Sequence, residues 1–285
     1  MPQLDTKPST GENSLWVGKQ EEKQDVISLQ LSVRLAALFD EACPEEGQPL
    51  PYLWHWAFFQ SPVVEAELGE DGHPARGRFL PPAENRQRMW AGGRVTFHQP
   101  LIVGQRATCR STILTVKEKH GQTGSLLFVT VEHLYFQGDA LCISEEQDIV
   151  YREPSPPKLT IDRILPALEW TDTIQPTPVM LFRYSAVTFN GHRIHYDYPY
   201  ATQQEGYPGL VVHGPMIATL VMRSVTRQHP QQIPEKLSYR GLRPLIADTP
   251  FSIGGVADGA QTCSAWAFND QGPAHQADIT FKESN

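Results

Sequence analysis

Apolar positions crowd the stretch from Ile27 to Phe39, with Leu29, Leu31, Val33, Leu35, Ala36 and Leu38 between them, and Asp40 to Pro51 is turn-like. This predicts a helix of about three turns. The aromatic run Leu50 to Gln60 holds Trp54, Trp56, Phe58 and Phe59 and stops before Pro62, which predicts a second, short and buried helix. From Glu65 to Pro82 the chain is polar and irregular. Arg106–Val116, Leu126–Phe136 and Leu141–Tyr151 then carry β-branched and aromatic residues, separated by turn sequences at Lys119–Gly124 and Gln137–Asp139, the pattern of an antiparallel meander. Pro154–Pro157 interrupts it. Beyond lie strand-like segments at Trp170–Ile174 and Met180–Thr188, and an apolar helix over Gly214–Val225 with Pro215 in its first turn, where a missing N–H costs nothing. Four more strand-like runs follow, at Leu237–Leu242, Thr249–Val256, Gln261–Phe268 and Ala274–Lys282.

His98-Gln-Pro-Leu-Ile-Val-Gly-Gln105 matches Leu242-Arg-Pro-Leu-Ile-Ala-Asp-Thr249, and each segment leads from one strand into a meander. Each half also places helical material before its strands. The repeat predicts an α+β chain in which two antiparallel sheets each wrap a helix and pair into one surface. It divides the chain into a polar tail at residues 1–25, a first half at 26–153 and a second half at 154–285.

Composition narrows the function classes. The 285 residues suffice for a core without staples. A formal net charge of −8 argues against a nucleic-acid surface, which needs many cations to neutralise phosphates. No apolar run reaches the roughly 18 residues of a membrane span, and the polar start resembles no secretory or transit leader, so a cytoplasmic protein is expected. Cys43, Cys109, Cys142 and Cys263 form no CxxC pair and read as small buried thiols.

The chemistry concentrates between Phe182 and Ala201. Asn190, His192, Arg193, His195 and Asp197 fall within eight residues, and His213-Gly214-Pro215 opens the following helix. On composition alone a polar loop beside a strand is also an ordinary solvated loop. His213 is equally readable as a packed histidine. His192, His195 and Asp197 would suit a metal, but no further well-spaced ligand follows.

Phe189-Asn-Gly-His-Arg-Ile-His-Tyr-Asp197, with Gly209-Leu-Val-Val-His-Gly-Pro215, resembles the hydratase motif of MaoC-like dehydratases. Together with Arg88-Met-Trp-Ala-Gly-Gly93 it is similar to the hydroxyacyl-thioester dehydratase type 2 family, including its itaconyl-CoA and mesaconyl-C4-CoA hydratases. The resemblance runs from about Asp25 onward. It implies a double hot-dog fold and a hydro-lyase that adds water to an enoyl-CoA, converting itaconyl-CoA to citramalyl-CoA or hydrating mesaconyl-C4-CoA. It further implies an acyl-CoA substrate as partner, no metal, and no cofactor beyond the coenzyme A of the substrate; a homodimer is compatible with it. A 3-hydroxyacyl-thioester dehydratase of fatty-acid synthesis and a non-catalytic acyl-CoA-binding module are the alternatives.

The motif departs from the family pattern at one position. Where an aspartate precedes the histidine by five residues, this chain has Asn190, and an amide is no general base. His195 is then the expected proton-transfer group, because imidazole titrates near neutrality. Asn190 is expected to position water, and Asp197 to orient His195. The thioester oxygen gathers enolate charge and needs donors, which the helix start at Gly214 and Met216 is expected to supply. Arg88, Arg94, Arg183 and Arg193 are the expected partners of the anionic groups of the substrate. The Trp54–Phe59 cluster reads as acyl-chain lining or as core.

Overall fold

The computed structural model describes residues 11–83, 85–121 and 124–283. A single helical turn, α1 (Gly11–Ser14), precedes β1 (Gln20–Val26), which the chain follows with α2 (Leu29–Phe39), β2 (Gln87–Phe97), β3 (Arg106–Gly121), β4 (Gly124–Gln137) and β5 (Ala140–Arg152). The second half contributes β6 (Trp170–Ile174), α3 (Pro178–Val187), α4 (Gly214–Gln228), β7 (Pro234–Gly241), β8 (Phe251–Ala257), β9 (Thr262–Asn269) and β10 (Gly272–Phe281). Among the described residues these strands make one antiparallel sheet, ordered β1-β3-β4-β5-β2-β7-β10-β9-β8-β6.

Read inward from either edge, the order is the same for both halves. β1-β3-β4-β5-β2 corresponds to β6-β8-β9-β10-β7, and β2 pairs with β7 at the seam. The sequence repeat lies on equivalent links. Ile102 forms an isolated bridge with Pro49, and its counterpart Ile246 forms one with Val211. At the seam Arg94 pairs with Ser238, its own counterpart in the repeat.

Helix α4 explains why the second half wraps as it does. Met216, Ile217, Leu220, Val221, Met222 and Val225 are all buried, together with Ala218, Thr219 and Ser224. Burying each large side chain contributes about 1.5–3 kcal/mol, so the helix is held by its packing rather than by capping. Its N-cap, His213, makes no side-chain capping bond.

Among the described residues the first half has no counterpart of α4. Where a buried helix is expected over Leu50–Gln60, the structure has a 3₁₀ turn, Trp54–Ala57, and the described residues between it and β2 are irregular apart from a second 3₁₀ turn, Glu65–Glu67. A buried carboxylate fixes the Trp54–Ala57 turn. Glu145 on β5 accepts hydrogen bonds from Trp56 Nε1 at 2.9 and 3.0 Å, from Gln147 Nε2 at 2.9 Å, and from Tyr135 and Tyr239 hydroxyls at 3.3 Å; His55 Nε2 lies 3.2 Å away. Trp54, Phe58 and Phe59 are buried in the main core and serve as packing, while Trp56 is partly buried and packs against Trp90.

Three further expectations change. Met180–Thr188 is helical in α3, not a strand: Thr177 caps it by accepting from Met180 N, Pro178 occupies its first turn, and Leu181, Tyr184 and Ser185 form its buried stripe. The polar segment Gln20–Val26 is not a tail but edge strand β1, in register with Arg106–Thr112; residues 1–10 lie outside the described residues. Cys43 is exposed, whereas Cys109, Cys142 and Cys263 are buried, all four as free thiols. Of the expected turn at Lys119–Gly124, residues to Gly121 extend β3 and Gly124 begins β4, with 122 and 123 outside the described residues. No helix among the described residues is long and apolar enough to cross a membrane.

Candidate active site

The chain leaves α3 at Thr188, whose hydroxyl donates to Tyr184 O at 2.7 Å. Phe189 then takes a left-handed conformation (φ 50°) and starts the motif loop. Asn190 closes the loop on itself: its Oδ1 accepts from His192 N at 2.9 Å and its own N–H donates to Ser185 O at 2.8 Å. A 3₁₀ turn, Arg193–His195, carries His195 inward until it is buried.

There the His195 Nδ1–H donates to Val211 O at 2.7 Å. This fixes the tautomer and leaves Nε2 without a proton. Burial, opposed by the Val211 bond, pushes the imidazole down to about 4, so it is neutral at physiological pH. Its ring stacks on that of His213, 3.6 Å between centroids and 19° from parallel. His213 is fully buried, shares a 2.8 Å hydrogen bond through Nε2 with Ser185 Oγ, and is held well below the ordinary histidine value by burial. It is a packed histidine that sets the plane of His195.

His213 is also the residue before α4, so the neutral imidazole and the helix N-terminus are contiguous. Gly214 is partly exposed, and a Cβ there would lie 2.7 Å from Trp90 Cε3. Its N–H lies in the first turn of α4, where no intrahelical acceptor exists. Met216 is fully buried, which removes it from the expected donor pair.

The remaining expected residues separate. Asp197 does not orient His195: its Oδ2 accepts from Arg193 Nη2 at 2.7 Å and its Oδ1 from Tyr200 N at 3.1 Å, while Val211 holds the imidazole. Arg193 is consumed by that ion pair, by Glu70 O at 3.0 Å, and by stacking over Tyr200 at 4.2 Å. Arg183 is exposed and donates to Ala37 O at 2.9 Å, tying α3 to α2. Arg94 lies on the solvent face of the sheet, 2.7 Å from Glu146 and 2.8 Å from Asp148. Arg88 alone of the four stays at the site. It shares the face of β2 with Trp90, which covers Gly214, and its charge acts on His73 and His192. It makes no ion pair or side-chain hydrogen bond among the described residues.

The sequence reading passed over Asp71 and His73, which reach the site from the irregular part of the first half. His73 N donates to Asp71 Oδ1 at 3.0 Å, and His73 Nδ1 lies 3.2 Å from Asp71 Oδ2. The rings of His73 and His192 are 4.3 Å apart, and those of His192 and His195 5.4 Å. Arg193 N donates to Asp71 O at 2.9 Å, and Gly72 meets Gly191 backbone to backbone. Although burial raises it, hydrogen bonds from His73 hold the Asp71 carboxyl well below the usual carboxylate range. Ligand atoms of Asp71, His73 and His192 lie within 4.8 Å of one another, the one group of metal-ligand type among the described residues. Arg76, 3.9 Å from Asp71, and Arg88 place two guanidinium charges beside it, which oppose a dication there.

Comparison with known proteins identifies the family and the fold. The model of the hydroxyacyl-thioester dehydratase type 2 family matches residues 53–247. The mesaconyl-C4-CoA hydratase of Chloroflexus aurantiacus is 44% identical over 245 residues, 84% of this chain and 86% of that protein. Among solved structures, a MaoC-like dehydratase from Phytophthora capsici superposes with a TM-score of 0.71 at 11% identity, covering 94% of this chain and 97% of its own. A Mycobacterium tuberculosis protein described as a double hotdog fold gives 0.58 at 12% identity, covering 93% and 96%. The chain therefore belongs to the hydroxyacyl-thioester dehydratase type 2 family and has the double hot-dog fold.

Proposed function

We propose that this chain is an acyl-CoA hydratase acting on a short, carboxylated enoyl-CoA. The observation that carries the reading is the stacking of a neutral, tautomer-fixed His195 on His213, the residue that precedes α4. Adding water across a double bond conjugated to a thioester needs an acceptor for the hydrogen of the attacking water and a donor at the carbonyl oxygen, where enolate charge develops. His195 presents its bare Nε2 to the water. The Gly214 N–H, at the positive end of the α4 dipole, faces the oxygen. The reaction involves no electron transfer, and coenzyme A arrives with the substrate.

Mesaconyl-C4-CoA is the first substrate to test, on the 44% identity to a hydratase of that name, and itaconyl-CoA is the second. Arg88 supports a carboxylated acyl group: among the described residues it is the guanidinium at the site that no carboxylate neutralises. The reverse reaction, dehydration of a 3-hydroxyacyl thioester, uses the same groups, and the family description and a 30% identical mitochondrial dehydratase of Schizosaccharomyces pombe favour it as the second reading.

Purified protein incubated with mesaconyl-C4-CoA, itaconyl-CoA and crotonyl-CoA, followed by mass spectrometry for one added water, decides the matter. Hydration of the carboxylated substrates in preference to crotonyl-CoA supports the reading. Turnover of crotonyl-CoA alone removes the carboxylate requirement, and turnover of none removes the hydratase.

A further inference from the structure

A water that attacks through an oxygen lone pair has two hydrogens to place, and His195 Nε2 accepts one of them. The other acceptors of the motif loop, the His192 ring and the second lone pair of Asn190 Oδ1, have no hydrogen bond to a carboxylate among the described residues. Asn190 Oδ1 already accepts one hydrogen bond from His192 N–H, and Asp197 is turned away to Arg193 and Tyr200. The first half brings in an acceptor that has such a bond. Asp71 accepts from His73 Nδ1–H, which leaves His73 Nε2 bare, as Val211 O leaves that of His195. Neither Nε2 has a hydrogen-bond partner among the described residues.

The loop is fixed against the motif at three points. Arg193 N binds Asp71 O, Arg193 Nη1 binds Glu70 O, and Gly72 packs on Gly191, where a side chain on either would strike the backbone of the other. His192 touches both rings.

We propose that Asp71 and His73 form a carboxylate–imidazole pair that replaces the missing aspartate of the hydratase loop, with His73 a catalytic residue supplied by the first half. This deepens the hydratase reading and rests on it. The water is held between His73 and His195. Its oxygen bonds to the β-carbon while the π pair of the double bond moves toward the α-carbon and the thioester oxygen. The O–H bond breaks and its proton passes to His73 Nε2, where the Asp71 carboxylate stabilises the imidazolium; His195, backed by a neutral carbonyl, aims the water. The proton then moves to the α-carbon as the enolate collapses, and both imidazoles end neutral.

The test measures steady-state hydration of whichever enoyl-CoA the wild-type chain turns over, in His73→Ala, His73→Gln and Asp71→Asn. The kcat of His73→Ala is expected to fall about 10²–10⁴-fold with KM nearly unchanged, and added imidazole to restore part of it. Asp71→Asn is expected to lose roughly 10–100-fold. His73→Gln keeps a hydrogen-bonding side chain of similar reach and is expected to fold with the wild-type melting temperature yet stay inactive. Variants with near wild-type kcat overturn the proposal while leaving the hydratase reading intact. Loss in His73→Ala without imidazole rescue, matched by a lower melting temperature in all three variants, makes the pair structural and overturns it. Activity removed by a chelator and restored by zinc makes Asp71, His73 and His192 metal ligands and also overturns it. A wild-type chain that hydrates none of the substrates fails the hydratase reading, and this inference with it.

Discussion

His195 and His213 stack ring on ring, 3.6 Å apart. A cation on either would meet a buried neighbour with little water to screen it, so the pair is built to stay neutral. Burial pushes His195 to about 4, far below the ordinary histidine value near 6.5. The form that accepts a hydrogen from water is the neutral one, and protonation removes it. The acid limb of kcat/KM is therefore expected well below pH 6, with activity retained at pH 5.5, where a free imidazole is mostly charged. A rate profile between pH 4.5 and 8 checks this, and a limb centred near 6.5 contradicts it.

Removing the imidazole tests its role directly. His195→Ala is expected to lower kcat by about 10²–10⁴-fold. Far-ultraviolet circular dichroism and the melting transition should show a folded protein, and substantial residual turnover would assign the water to another group.

Replacing Asn190 by aspartate restores the residue of the general family pattern. Its Oδ1 is already an acceptor, for His192 N–H at 2.9 Å, and a carboxylate keeps that bond. Asn190→Asp is expected to change kcat by less than about tenfold. Complete loss, or a gain of several hundredfold, would place position 190 on the reacting atoms.

Gly214 stands where α4 meets Trp90. A Cβ would sit 2.7 Å from Cε3 and 3.1 Å from Cζ3 of the indole. The ring or the helix start must shift, at a cost of about 1–3 kcal/mol. In Gly214→Ala, kcat should fall more than tenfold as the donor moves off the thioester oxygen, with denaturant unfolding reporting the stability cost; wild-type kinetics would show that this N–H is not used.

Glu145 is a fully buried carboxylate. Burial alone would raise its pKa, but the hydrogen bond and charge of His55, with His133 and Gln147, bring it down to about 2. A depressed carboxylate adds stability above its unfolded value near 4.3, and that contribution drains away as pH falls toward 2. Glu145→Gln puts an amide N–H₂ among Trp56, His55, Gln147 and two tyrosines, and is expected to cost about 3 kcal/mol at pH 7. Urea unfolding at pH 7 and at pH 3.5 should show the difference between wild type and variant shrinking in acid.

The two meanders, α2 and α4 were legible because their apolar periods are regular, and the Pro-Leu-Ile repeat located the equivalent links. Met180–Thr188 was misread although Thr177-Pro178 is an N-cap and first-turn signal and Leu181, Tyr184, Ser185 and Thr188 follow helical spacing; its exposed Val179 and Phe182 disguised the stripe. Edge strand β1 carries no apolar period at all, because it is held by its ladder to β3. At the site, His195, Asn190 and Gly214 lie in contiguous motifs and could be read. Asp71 and His73 could not, because the irregular polar loop that carries them reaches the motif through long-range contacts, of Arg193 with Asp71 O and Glu70 O and of Gly72 with Gly191. The arginines show the same limit: identity and proximity in sequence cannot say that Arg94 points to solvent or that Arg193 is already paired.

The pairing of Arg94 with Ser238, each the other's counterpart, is the contact found on the axis of a two-fold symmetric dimer, where one patch meets itself. In this chain that axis lies between two segments of one polypeptide, so neither half has to stay identical to its mate. A symmetric dimer would carry two identical sites and could not alter one without altering the other. Covalent linkage leaves the first half free to differ from the second, here with a turn fixed by Glu145 and a loop, Glu70–Gly72, that packs on the motif of the second half.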